Sequence, residues 1–97
     1  MSRVSGKRYF LYILWSQTGQ RFYIGVSENP EKRLEQHNQG LRGWTARYRP
    51  WTLVYKESYE NYGLARKREL ELKRQKGGQG LFRLTGLKPE QFSSSGS

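Results

Sequence analysis

The chain reads as a small α/β domain of order β-β-α-β-α, a sandwich in which helices flank a three-stranded sheet. Three observations predict it. Two aromatic and branched runs, 8–15 and 21–26, are separated by turn chemistry. An Asn-Pro pair at 29–30 has the form of a helix start, and a basic stretch of high helix propensity, 62–76, is closed by two glycines.

Arg8 to Trp15 is rich in aromatic and β-branched side chains and reads as a buried strand. Ser16 to Gln20 is turn chemistry, so Arg21 to Val26 returns as the second strand of a hairpin. Asn29 serves as N-cap, Pro30 takes the first helical position, and Glu31 lies near the positive end of the helix. That helix runs to about Asn38 and stops at Gly40. A basic, aromatic loop over 41–50 leads to a third strand, Trp51 to Ser58, which alternates in polarity and places Trp51 in the core. The second helix runs from Tyr62 to about Lys76 and ends at Gly77-Gly78; residues 80–85 add a short turn. From Lys88, and above all over Ser93 to Ser97, the composition is that of a flexible tail. The expected division is a domain over 1–87 and a tail over 88–97.

With 97 residues the chain makes one domain with a small core. It has no cysteine, which excludes disulfides and thiolate metal sites. No apolar run approaches the roughly 18 residues of a membrane span, and no signal-like segment follows the basic N-terminus. A cytoplasmic, monomeric protein is expected. Eighteen Lys and Arg against eight acids give a net charge of +10, which points to a polyanionic partner. Without an amphipathic anchor that partner is nucleic acid rather than membrane. All eight acids are glutamates, so paired-aspartate metal sites are excluded.

Across these elements runs a spaced set of reactive side chains: Tyr12, Tyr23-Ile24-Gly25, Arg33, His37 and, far downstream, Glu69. The set resembles the GIY-YIG nuclease domain, in particular the small branch related to the N-terminal nuclease of the excision-repair protein UvrC. The resemblance extends from about Tyr9 to Lys76. The first triplet is degenerate (Phe10-Leu11-Tyr12, where only the tyrosine agrees), and the second is intact. The resemblance implies an endonuclease that uses Mg²⁺, with Mn²⁺ as substitute, to hydrolyse a phosphodiester bond in DNA, structure-directed or repair-related. DNA over RNA rests on the resemblance alone.

Tyr12 and Tyr23 fall on adjacent antiparallel strands, where side chains meet across the ladder. A phenol can pass a proton at an attacking water, but with a reference pKa near 10 only about one in a thousand is ionised at neutral pH. Lowering it by two or three units takes roughly 3–4 kcal/mol of phenolate stabilisation from a cation or metal. Which tyrosine acts as base and which positions water is open at this stage. Gly25 gives either close backbone approach or a turn conformation. Arg33 and His37 lie four apart, on one helical face with Pro30 and Leu34. Arg33 is suited to hold the scissile phosphate, the competing account being a surface ion pair with Glu31. His37 is suited to move a proton or bond the phosphate, the competing account being a structural role.

Glu69 shares the inward stripe of its helix with Ala65 and Leu72, whereas Glu71 points the other way with Lys67 and Arg74 as a surface pair. An inward carboxylate needs a partner. The resemblance makes that partner a divalent metal; the alternative is a salt bridge to Arg33 or His37. Two departures stand: Val26 occupies a position where some relatives carry lysine, and no counterpart is found for a downstream asparagine. In the loop, Arg42, Trp44, Arg47, Tyr48 and Arg49 combine phosphate-binding cations with aromatics able to stack on bases. Trp44 and Tyr48 are equally able to cap the sheet. Two rival functions share these features: a non-catalytic nucleic-acid-binding module with decayed chemistry, and a basic adaptor for a protein partner.

Overall fold

A computed structural model describes residues 7–39, 47–75 and 79–92. β1 (Tyr9–Ser16) and β2 (Arg21–Ser27) form the hairpin, α1 (Pro30–Gln39) follows, and β3 (Trp51–Tyr59) pairs with the other edge of β1. α2 (Tyr62–Gln75), α3 (Gln79–Thr85) and a 3-10 turn (Pro89–Phe92) complete the order. The sheet order is β2-β1-β3, antiparallel throughout. The most apolar strand is therefore central, and its Leu11, Ile13 and Leu14 are fully buried. Each such side chain contributes about 1.5–3 kcal/mol by leaving water.

The two faces of the sheet carry separate cores. One joins Leu11, Ile13, Phe22 and Ile24 to Leu72 of α2 and Leu81 of α3. The other joins Tyr12, Leu14 and Trp51 to Tyr23, Tyr48, Leu53 and Leu34 of α1. β3 serves both because it is irregular: Ile13 faces Tyr55 but the next residue, Leu14, faces Leu53, which leaves Val54 as an extra residue in a bulge. Directly paired residues point to the same face. The bulge thus sends Trp51 and Leu53 to the α1 face, and Tyr55, Glu57 and Tyr59 to the α2 face. The unbroken alternation expected for 51–58 is corrected accordingly.

Helix starts follow the sequence closely. Asn29 accepts from Lys32 N through its side chain (3.1 Å) and Pro30 opens α1. Asn61 caps α2 in the same way through Leu64 N (2.9 Å). Residues 79–85 form a helix rather than a turn, anchored by fully buried Leu81 and ended by Gly86 at φ 83°, a left-handed conformation that favours glycine. The tail boundary expected at residue 87 also moves outward. Pro89–Phe92 folds back so that Phe92 packs its ring 5.1 Å from those of Trp15 and Phe22. One phenylalanine among polar residues carries no periodicity, so composition could not place it. Residues 93–97 lie outside the described residues.

Candidate active site

Hairpin register sets Tyr12 opposite Gly25. The Tyr12 phenol lies over that glycine: a Cβ there would sit 2.8 Å from the phenolic oxygen and 3.0 Å from Tyr23 Cε1. Gly25 has no left-handed φ, so space rather than turn geometry demands it. The two rings approach to 6.1 Å. Burial, above all, pushes the Tyr12 pKa well above the phenol range. The neighbouring Tyr23, with which it shares a hydrogen bond, and the negative charge of Glu69 add to this, while Arg33 opposes it. Tyr12 therefore keeps its proton, contrary to the expectation that a site phenol is shifted down.

α1 brings in the next two groups. Leu34 seats the helix on the Tyr12 core, and His37 rests its ring 4.6 Å from that of Tyr23. Burial first, then Arg33, holds the imidazole below its usual range, so it is neutral at pH 7. Arg33 is exposed; its guanidinium donates to Gln36 Oε1 (3.4 Å). The ion pair with Glu31 is not made, since Glu31 takes Lys56 at 2.9 Å. An open cleft of about 330 Å³ runs past Arg33, lined also by Val26, Asn29, Lys32 and Gln36. Asn38, which the sequence reading passed over, fixes this arrangement. Its side chain accepts from Trp51 N (2.6 Å) and donates to Trp51 O (3.1 Å), clasping α1 to the start of β3.

α2 supplies Glu69, buried at 7% exposure with Ala65 and Leu72 on the same stripe. Its partners are neither Arg33 nor His37. Arg66 donates to Oε1 (2.7 Å) and Lys73 to Oε2 (2.9 Å), both from α2 itself. Burial works against ionisation, but these two cations outweigh it and hold the carboxyl below its usual range. Glu71 is a surface pair as expected, though with Arg68 rather than Lys67 or Arg74. Tyr12 thus lies within electrostatic reach of Tyr23, Arg33 and Glu69, and Arg33 acts on His37 as well. Tyr12, Tyr23 and His37 adjoin one another on the α1 face, with Arg33 one helical turn from His37, while Glu69 is presented from α2. Among the described residues no group of three or more His, Cys or acidic side chains is placed to hold a metal. A cation here would rest on Glu69 alone and draw its other ligands from water and substrate.

The loop residues divide. Arg42 and Trp44 lie outside the described residues. Arg47 is exposed. Arg49 donates to the carbonyl of Gln39 (3.2 Å) at the end of α1. Tyr48 is half-buried in the α1-face core, with Arg21 4.5 Å above its ring, and its backbone carbonyl accepts from buried Ser16 (2.6 Å). It caps the sheet, the alternative weighed against base stacking.

One polar cluster had no signal in the sequence. Glu57 accepts from Arg68 Nε (3.0 Å) and Nη2, from Tyr59 (2.5 Å) and from Tyr55, while Arg68 also donates to Leu84 O (2.8 Å). The bulge at Val54 is what turns Glu57 toward α2, and a bulge leaves no mark in composition. Arg68 precedes Glu69, so this cluster fixes the rotation of the helix that presents the carboxylate.

The GIY-YIG catalytic domain pattern matches residues 8–81. With this match and with three antiparallel strands flanked by helices, the chain belongs to the GIY-YIG catalytic-domain family, a family of nucleases. It is similar to a UPF0213 protein of Staphylococcus aureus strain Mu3, 40% identical over 66 residues that cover 67% of this chain and 79% of the relative. The same figures hold for the UPF0213 protein SAV0488 of strain Mu50. The solution NMR structure of the UPF0213 protein BH0048 from Bacillus halodurans shares the fold, with a TM-score of 0.53 at 22% identity, covering 93% of this chain and 97% of that one.

Proposed function

We propose that this chain is a divalent-metal-dependent endonuclease that hydrolyses a phosphodiester bond in DNA, structure-directed and of the kind used in repair. The observation that supports the reading is the grouping of Tyr12, Tyr23 and His37 with Arg33 at an open cleft, together with the buried carboxylate of Glu69. The donor set fits one hard cation on Glu69, completed by water and phosphate; Mg²⁺ suits it, with Mn²⁺ as substitute. When bound, that cation would polarise the phosphate and stabilise the leaving oxygen. Arg33, exposed and in no ion pair with any described residue, holds a non-bridging oxygen and offsets charge that grows in the transition state. Tyr12, kept protonated, positions Tyr23 through the hydrogen bond they share. Water attacks phosphorus as the bond to the leaving oxygen breaks, and its proton passes by way of Tyr23 to neutral His37.

A plasmid-nicking assay tests this. Wild type is expected to nick with Mg²⁺ or Mn²⁺ and to stop with EDTA, and Glu69→Gln to lose at least about 100-fold, the scale of one lost charge-stabilising group. Equal cutting by Glu69→Gln, or no cutting of duplex, flap or branched DNA by wild type, refutes the proposal. One observation favours the rival, a non-catalytic nucleic-acid-binding module: both oxygens of Glu69 are already engaged. On that reading DNA binds but is never cut.

A further inference from the structure

The two cations on Glu69 have a further consequence if the metal-dependent reading holds. A buried carboxylate is costly to leave alone, so Arg66 and Lys73 compensate it in the protein by itself. Each takes a different oxygen, and no oxygen of Glu69 is left without a cation. A divalent ion about 2 Å from either oxygen would stand against one of these positive groups at close range and be repelled. The clamp is nonetheless loose at its outer ends. The Arg66 and Lys73 side chains are 45% and 44% exposed, against 9% for Glu69, so both reach down from solvent. A backbone phosphate offers guanidinium and ammonium the same anionic oxygens as a carboxylate does.

We propose that Arg66 and Lys73 form a phosphate-released clamp: nucleic acid draws one or both onto its backbone, uncovers Glu69, and thereby couples metal binding to strand binding. The carboxylate is neutralised by the clamp in the free protein and by the metal in the complex with both strand and metal. Coupling of this kind is reciprocal, so the factor by which DNA tightens the metal equals the factor by which the metal tightens DNA.

The test measures Mn²⁺ affinity by electron paramagnetic resonance of the free ion, with and without a short phosphorothioate DNA duplex that resists cleavage, corrected for Mn²⁺ bound by the duplex alone. Wild type is expected to bind Mn²⁺ about tenfold or more tightly with duplex present, within the usual range of such coupling. Arg66→Gln and Lys73→Gln, each keeping one cation to preserve the fold, should bind Mn²⁺ more tightly without duplex and show weaker coupling. Fluorescence-anisotropy titration of the same duplex should return the same coupling factor from the DNA side. Glu69-dependent Mn²⁺ binding that ignores duplex, or Gln variants that bind as weakly as wild type, overturns the clamp and leaves the nuclease reading standing. Mn²⁺ binding that Glu69→Gln does not change, with duplex present, overturns both.

Discussion

At the scale of single residues the site depends on what Gly25 lacks. The Tyr12 phenol occupies the space a side chain would fill, and Tyr12 is only 1% exposed, so it has nowhere to retreat. Gly25→Ala should therefore displace both rings. Overpacking of this kind costs about 1–3 kcal/mol, and a shift of about 1 Å at a reacting group costs about 100-fold in rate. We expect a folded variant with a melting temperature lower by roughly 5–15 °C and nicking reduced about 100-fold. Full activity in Gly25→Ala would show that the phenols do not act where they stand. That Tyr12 and Tyr23 approach each other was legible from the pairing of adjacent strands, as was the close approach at Gly25 as one of two alternatives. The retained proton of Tyr12 was not, because it follows from burial and from Tyr23 and Glu69 on other elements, which outweigh Arg33.

Among elements, the decisive contact is between β3 and α2. Glu57 and Arg68 are mostly buried, at 18% and 19% side-chain exposure, and satisfy each other with help from Tyr55 and Tyr59. Removing one partner leaves the other uncompensated. Arg68→Met should cost about 2–4 kcal/mol, somewhat below the range for fully buried pairs, whereas Glu57→Leu with Arg68→Met should cost less than the sum of the two single changes. Urea midpoints at unchanged slope measure this; strictly additive losses would mean the pair is not coupled. The same cluster shapes the acid limb. Burial would raise the Glu57 pKa, but Arg68 and the two phenols outweigh it and the net shift is down, as it is for Glu69. A carboxyl lowered on folding adds stability that is complete above the ordinary carboxylate range and lost as pH falls through its depressed value. His37, also lowered, adds stability that is complete above about 6.5 and lost below it. The urea midpoint should thus fall steadily from pH 7 toward pH 3, and Glu57→Gln should flatten the lower part of that fall. The hairpin, the Asn29 cap and the bounds of α1 and α2 were legible because they follow from neighbours in sequence. The bulge, the Glu57–Arg68 pair and the anchoring of Phe92 were not, because each depends on which face a distant strand presents.

For the whole molecule the governing quantity is charge. A net +10 draws any polyanion, so binding alone does not separate nuclease, passive module and adaptor. The number of phosphates engaged separates an adaptor from a nucleic-acid binder, because each one neutralised on duplex DNA steepens the salt dependence of affinity by about 0.9 in log–log slope. Some cations on this surface are held in ion pairs: Lys7 with Glu28, Lys56 with Glu31, Arg68 with Glu57. At the cleft, Lys32 and Arg33 make no ion pair with any described residue. If Arg66 and Lys73 stay on Glu69, the site engages two phosphates and the slope should be near about −1.8. If both transfer to the strand, it engages four and the slope should approach about −3.6. An adaptor should show little DNA affinity and a slope close to zero. Fluorescence anisotropy of a labelled duplex titrated at several salt concentrations, without divalent metal, reads this number directly. The Arg66→Gln, Lys73→Gln double change then discriminates further. It should move a slope of about −3.6 back to about −1.8, yet leave a slope that began at −1.8 unaltered. A wild-type slope shallower than about −1 would leave the Arg33 cleft without a strand to hold, and the placement of the scissile phosphate against Arg33 would fall with it.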